Sequence, residues 1–202
     1  MRSCIILCGG RSRRMGQDKG LMILDDKPVL VYLLETLDHL VDEIILVLRD
    51  KKQVCSYQNL INDDKRLRKD LYPQIQLVTD LEKDQGPLFG LLTGLSHIKA
   101  GGALVLPCDS PFVSGYFIKK TFEIIEEKQV LAMVPQWPDG SLEPLHGYYH
   151  KECIPFIEDM LNQGFRDVRS LFNHIDVRYI SVEILDPDKT SFQNLNRPQD
   201  LK

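Results

Sequence analysis

The 202-residue chain has little with which to build a disulfide scaffold, a zinc centre or a membrane span. Its five cysteines (Cys4, Cys8, Cys55, Cys108 and Cys153) stand singly, with no C-x-x-C pair and no histidine partner at metal-ligand spacing. Buried, reduced thiols of a reducing cytosol are therefore expected. No apolar run approaches membrane-spanning length, and the N-terminus lacks the apolar region and cleavage site of a signal peptide, so a cytoplasmic protein without a membrane partner is expected. An excess of positive charge is missing too. The formal net charge is −4, the wrong sign for a general nucleic-acid binder. Internal repeats, low-complexity tracts and linkers are absent, and one domain accounts for a length that can bury a sizeable core. Two phosphate-loop fingerprints also fail. The dinucleotide loop requires G-x-G-x-x-G and the P-loop requires G-K-[ST], whereas Gly9 and Gly10 are adjacent here and Lys19 is followed by Gly20.

What is present is an apolar run, Cys4-Ile5-Ile6-Leu7-Cys8, that stops at Gly9-Gly10 and opens into a basic turn, Arg11-Ser12-Arg13-Arg14-Met15-Gly16-Gln17-Asp18-Lys19. A buried strand ending in such a loop can bring backbone close to a ligand, because glycine carries no Cβ. Its N–H groups and cationic side chains suit phosphate oxygens. A glycine turn beside a solvated basic patch, touching nucleic acid through Arg11 to Arg14, is the plainer alternative.

Farther along, Val29 to Leu40 shows helical spacing after Pro28, and Ile44 to Leu48 is a continuous apolar strand of the kind covered on both faces. Strand, helix, strand begins a parallel α/β sheet. The charged stretch Asp50 to Leu71 reads as a helix with a solvated extension. Ile75 to Thr79 is a strand ending at Asp80, Gly86-Pro87-Leu88-Phe89-Gly90 opens a helix to Ile98, and Ala103 to Pro107 is a central strand ending at Cys108-Asp109. A helix over Tyr116 to Lys128 and a strand over Val130 to Val134 follow. The chain reverses at Asp139-Gly140 and returns as a strand over Pro144 to Tyr149. Helices over Cys153 to Leu161 and Val168 to His174, a strand over Val177 to Val182 and a final helical turn at Phe192 to Pro198 complete the reading.

In an open parallel sheet, ligands bind beyond the carboxyl ends of the strands, where the Gly9 loop, Asp80 and Asp109 all fall. Taken alone, Asp109 reads as a turn or cap residue, Lys19 as an exposed loop lysine, and Gly86 and Gly90 as the start of a tightly packed helix. Their chemical uses are as specific. Lys19 is a flexible point charge for phosphate oxygens, Arg14 a guanidinium fork for the same group, and Asp109 a hard ligand for Mg²⁺ bridged to phosphate. Asn194 and Asn196, two apart, either face one ligand or cap the last helix.

The segment Leu7 to Leu21, with Arg14-Met15-Gly16-x-Asp18-Lys19, resembles the opening signature of nucleotidyltransferases and is most similar to the molybdenum cofactor guanylyltransferase family. Leu106-Pro107-Cys108-Asp109-Ser110-Pro111-Phe112, Gly86-Pro87-Leu88-x-Gly90, Glu143-Pro144-Leu145-His146-Gly147 and Phe192-Gln193-Asn194-Leu195-Asn196-Arg197-Pro198 resemble its later blocks, so the likeness spans nearly the whole chain. It implies a Rossmann-like α/β fold, a single domain with a mostly parallel sheet and helices on both faces. It further implies a nucleotide-binding part over about residues 1–112 and an acceptor-binding part over about 113–202. The activity implied is transfer of GMP from Mg-GTP to the phosphate of molybdenum-bound molybdopterin. Lys19, Arg14 and Asp109 would carry catalysis, Leu7, Cys8, Gly9, Gly10, Lys19, Asp80, Asp109, Asn194 and Asn196 would bind substrates, and Asp109 would hold Mg²⁺. Proteins that deliver molybdopterin or accept the finished cofactor are implied partners. Competing readings keep the fold with CTP or another acceptor phosphate (a sugar phosphate or phospholactate), or dispense with catalysis in a nucleotide-binding module.

Overall fold

Strands covered on both faces carry mainly apolar side chains, and three segments fit this. β1 (Ser3–Leu7) is buried except for the half-buried Leu7. Every residue of β4 (Glu43–Leu48) and β6 (Gly102–Pro107) is buried, although Glu43 and Ser3 bring polar atoms that pair with each other, Ser3 Oγ donating to Glu43 Oε1 at 2.6 Å. The computed structural model describes residues 1–9, 18–64, 67, 74–79 and 86–195. A short hairpin of β2 (Ile23–Leu24) and β3 (Lys27–Pro28) stands apart. The remaining strands are β5 (Gln74–Thr79), β7 (Ala132–Gln136), β8 (Tyr148–His150) and β9 (Val177–Ser181). With β1, β4 and β6 they form a seven-stranded sheet in the order β5-β4-β1-β6-β8-β7-β9. β5, β4, β1 and β6 run parallel, β8 is antiparallel to both its neighbours, and β9 is parallel to β7.

Helices cover both faces, as expected. Leu30 and Leu34 of α1 (Val29–Leu37), Tyr57 of α2 (Lys51–Asp63), Phe117 and Phe122 of α4 (Gly115–Glu127) and Leu185 of α6 (Val182–Leu185) share one core with Cys4, Ile6 and Leu46. Leu88 and Leu91 of α3 (Pro87–His97) and Ile157 of α5 (Ile154–Asn162) share the other with Ile5, Ile45 and Val105. Successive residues of β1 thus feed opposite cores, the period-2 alternation of a strand. The chain builds outward from β1 to β4 and β5, then crosses back by α3 to β6 on the far side of β1. A right-handed crossover in the reversed direction places its helix on the opposite face, which is why α3 and α1 flank different sides. The point of reversal lies between β1 and β6.

Several expectations are corrected locally. Pro144 has no N–H for a ladder, and Pro144–His146 is a 3₁₀ turn, with the returning strand confined to Tyr148–His150. Val168–Asn173 is a 3₁₀ segment rather than an α-helix, the tighter form that suits a short connector. A 3₁₀ turn forms at Thr190–Phe192; of the turn expected over Phe192 to Pro198, residues 196–198 lie outside the described residues. Tyr148 and Tyr149 are both buried, one in each core, because β8 lies inside the sheet.

Gly86 caps α3 with φ 82° and ψ 177°, a region open essentially to glycine alone. A Cβ there would meet the Arg166 carbonyl oxygen at 2.7 Å. Gly86→Ala is therefore expected to destabilise the protein by about 1–3 kcal/mol, measured by urea unfolding.

Candidate active site

The tips of β1 and β6 leave the sheet side by side. Leu7 is in register with Pro107, Cys108 N–H donates to the Leu7 carbonyl at 3.2 Å, and Cys8 N–H donates to Val47 on the other flank at 2.9 Å. Gly9 and Asp109 consequently emerge together beyond the carboxyl ends, at the topological switch point where open α/β sheets bind ligands. The chain returns at Asp18, whose carboxylate caps a 3₁₀ turn over Lys19–Leu21 by accepting from Gly20 N–H at 3.2 Å. From this turn Lys19 Nζ donates to Asp109 Oδ2 at 2.6 Å, across 90 positions of sequence. The two side chains are 22% and 14% exposed, so the pair is shielded but open to a ligand.

Two buried residues of α2 support this arrangement. Tyr57 Oη donates to Asp18 Oδ1 at 2.6 Å. Gln53 Nε2 donates to the Cys8 carbonyl at 2.9 Å and also to Asp18 Oδ2. The charged composition of Asp50 to Leu71 points to solvent, yet Gln53 and Tyr57 are the buried positions of α2. Their signal is the spacing Gln53, Tyr57, Leu60, Ile61, an i, i+4, i+7, i+8 stripe.

Cys8, beside the glycine loop, is a buried free thiol. Burial, and next the neighbouring Cys108, hold the Cys8 thiol well above its ordinary value, so it is protonated at neutral pH.

Ser110 joins the second half of the chain to the same strand tip. Its hydroxyl donates to Asn194 Oδ1 and lies 3.1 Å from His146 Nε2. One residue on, Leu195 N–H donates to the Asp109 carbonyl at 2.9 Å. His146 is buried against Phe117 and Phe192, with Nδ1 3.8 Å from Glu143 Oε2. Glu143 Oε1 accepts from Trp137 Nε1 at 2.9 Å.

Burial pulls the His146 imidazole down from 6.5 to about 4, so it is neutral at pH 7. The unfolded chain then binds the extra proton between these two values, and stability falls as pH drops from about 6.5 to 4, by roughly 3 kcal/mol in all. Above pH 6.5 the contribution is complete. Urea unfolding at pH 7.5 and 4.5 should show this difference, and His146→Gln should lose it.

The structure thus brings together Leu7, Cys8, Gly9, Lys19, Asp109 and Asn194. Gly10, Arg14, Asp80 and Asn196 lie outside the described residues, as do Arg11 and Arg13. Gly86 packs on Arg166 and starts a helix. Among the described residues no group of three or more His, Cys, Asp or Glu could hold a metal ion. Asp109 instead supplies one hard oxygen donor in an open crevice, which suits a cation such as Mg²⁺ that takes the rest of its ligands from water and substrate phosphates. Among the described residues no helix is long and apolar enough to cross a membrane.

Residues 4–178 match the MobA-like NTP transferase domain. Over 99% of its length the chain is 36% identical to a probable molybdenum cofactor guanylyltransferase of Methanothermobacter thermautotrophicus, covering 97% of that protein. It is 34% identical over its full length to a protein of the same description from Methanosarcina mazei, covering 88% of it. The crystal structure of molybdopterin-guanine dinucleotide biosynthesis protein A from Archaeoglobus fulgidus superposes with a TM-score of 0.79 at 25% identity, over 98% of this chain and 94% of that one. The chain is a nucleotidyltransferase and belongs to the MobA-like NTP transferase family.

Proposed function

We propose that the protein transfers GMP from Mg-GTP to the phosphate of molybdenum-bound molybdopterin, forming the guanine dinucleotide cofactor and pyrophosphate. The observation that carries this reading is the Lys19–Asp109 pair at the switch point, in a chain alike over its whole length to proteins named for that chemistry.

The acceptor phosphate is itself an anionic nucleophile, so attack on the α-phosphorus needs no covalent enzyme intermediate. The protein's contribution is positioning and charge neutralisation. Lys19 exchanges its contact with Asp109 for the phosphates and, with the backbone of Gly9 and Gly10 and the Arg14 guanidinium, balances the charge that develops on departing pyrophosphate. Asp109 would hold Mg²⁺, which supplies Lewis-acid polarisation of the α-phosphate. Leu7 and Cys8 give backbone to the nucleotide side of the crevice, Asp80 contacts the nucleotide, and Asn194 and Asn196 orient the acceptor. On this division residues 1–112 hold the nucleotide and residues 113–202 the acceptor. The apposition of Asn194 and Leu195 to Ser110 and Asp109 supports it. His146, neutral and enclosed, is assigned no proton transfer. Proteins that deliver molybdopterin or take up the product belong to the same proposal, in the cytoplasm.

The test is pyrophosphate release with GTP, CTP, ATP and UTP, each with and without molybdopterin and Mg²⁺. GTP should be preferred, and release should require acceptor and metal together. Equal or better turnover with CTP would contradict the guanylyl assignment. GTP binding with no turnover would reduce the protein to a nucleotide-binding module.

A further inference from the structure

We propose that Gln53 and Tyr57 are positioning residues that fix both ends of the glycine-rich phosphate segment and so aim Lys19. The inference rests on the phosphate role proposed above for Lys19.

Gln53 is 3% exposed and its amide orientation is determined. Oε1 accepts from Arg49 N–H at 2.6 Å, which leaves Nε2 as the donor facing the crevice. The same nitrogen serves the Cys8 carbonyl and the Asp18 carboxylate, the residues on either side of positions 9–17. One side chain therefore ties the strand exit to the segment's return. The start of α2 holds Gln53 in turn, since Asp50 Oδ1 accepts its N–H at 2.9 Å.

Tyr57 acts on the other carboxylate oxygen. Its ring is fully buried among apolar side chains, so the hydroxyl cannot swing away from Asp18 Oδ1. Burial, with Cys8, Cys108 and Asp18 nearby, pushes the phenol far above its ordinary value, and it remains a donor at every working pH. Close approach is possible because residue 20 is glycine; a Cβ there would lie 2.3 Å from the Tyr57 hydroxyl. Asp18 thus receives hydrogen bonds from Gln53, Tyr57 and Gly20, and the next residue is the lysine that reaches Asp109. Apolar residues at 53 and 57 would fill the same space but leave the Cys8 carbonyl and the Asp18 carboxylate without these donors. What the polar pair adds is a fixed geometry, and displacement of a positioned group by about 1 Å can cost about 10²-fold in rate.

Tyr57→Phe deletes only the hydroxyl. Gln53→Glu keeps the acceptor for Arg49 but turns the donor into a second carboxylate against Asp18. Both are expected to lower kcat/KM for GTP by about ten- to a hundred-fold with the KM for molybdopterin unchanged. Hydrogen exchange at the Gly20 and Leu21 amides, which bond to Asp18, should quicken at least about tenfold in either variant, and this readout needs no turnover. Were wild type inactive with GTP, the proposed function would fail while exchange still tested the clamp. Wild-type kcat/KM for GTP in both variants, unaltered exchange at those amides, or a raised KM for molybdopterin would overturn the positioning role.

Discussion

Asp109→Asn is expected to lower kcat by about 10²–10³-fold, the loss typical of removing one placed electrostatic group, while circular dichroism shows an unchanged fold. The substitution is isosteric and the Asp109 backbone stays pinned, its carbonyl accepting from Leu195 N–H at 2.9 Å. What disappears is the negative charge at the strand tip. An amide oxygen is a poor ligand for a hard divalent cation compared with a carboxylate, so half-maximal activity should require more Mg²⁺. A variant that turned over at the wild-type rate would remove Asp109 from the mechanism.

Lys19→Ala is expected to cost a similar 10²–10³-fold in kcat, with an opposite effect on the metal. Lys19 Nζ sits 2.6 Å from Asp109 Oδ2 and so competes with any cation for that oxygen. Removing the ammonium leaves the carboxylate unneutralised, so Mn²⁺ or Mg²⁺ should bind more tightly without nucleotide, whereas Asp109→Asn weakens it. Calorimetry can read both signs. Lys19→Arg should restore only part of the activity, because a planar fork replaces a compact point charge. If Lys19→Ala lowered cation affinity in the absence of nucleotide, the competition between the two groups would be disproved.

The parallel half of the sheet was legible because burial on both faces writes itself as unbroken apolar runs in Cys4 to Leu7, Ile44 to Leu48 and Ala103 to Pro107. Gly9 and Asp109 could be assigned to strand tips by the same logic. Contact between Lys19 and Asp109 could not, since it depends on β6 lying beside β1 rather than beside β5. The polar supports were hidden more deeply. Gln53 and Tyr57 occur in a helix whose outer face is charged, and a buried glutamine differs from a solvated one only in its partners. Insertion of β8 between β6 and β7 was illegible too, because a three-residue strand after a proline turn has too short a pattern to show its neighbours. Ser110, His146 and Asn194, drawn from three distant segments, meet only through that packing.

Convergence of the glycine loop and the acidic strand tip on a single triphosphate is tested most directly by a crystal structure of the protein with GTP and Mg²⁺. The account predicts phosphates beyond the carboxyl ends of β1 and β6, with Lys19 Nζ on phosphate oxygens and Asp109 on the metal. A nucleotide bound elsewhere, or a triphosphate touching neither Lys19 nor Asp109, would contradict it.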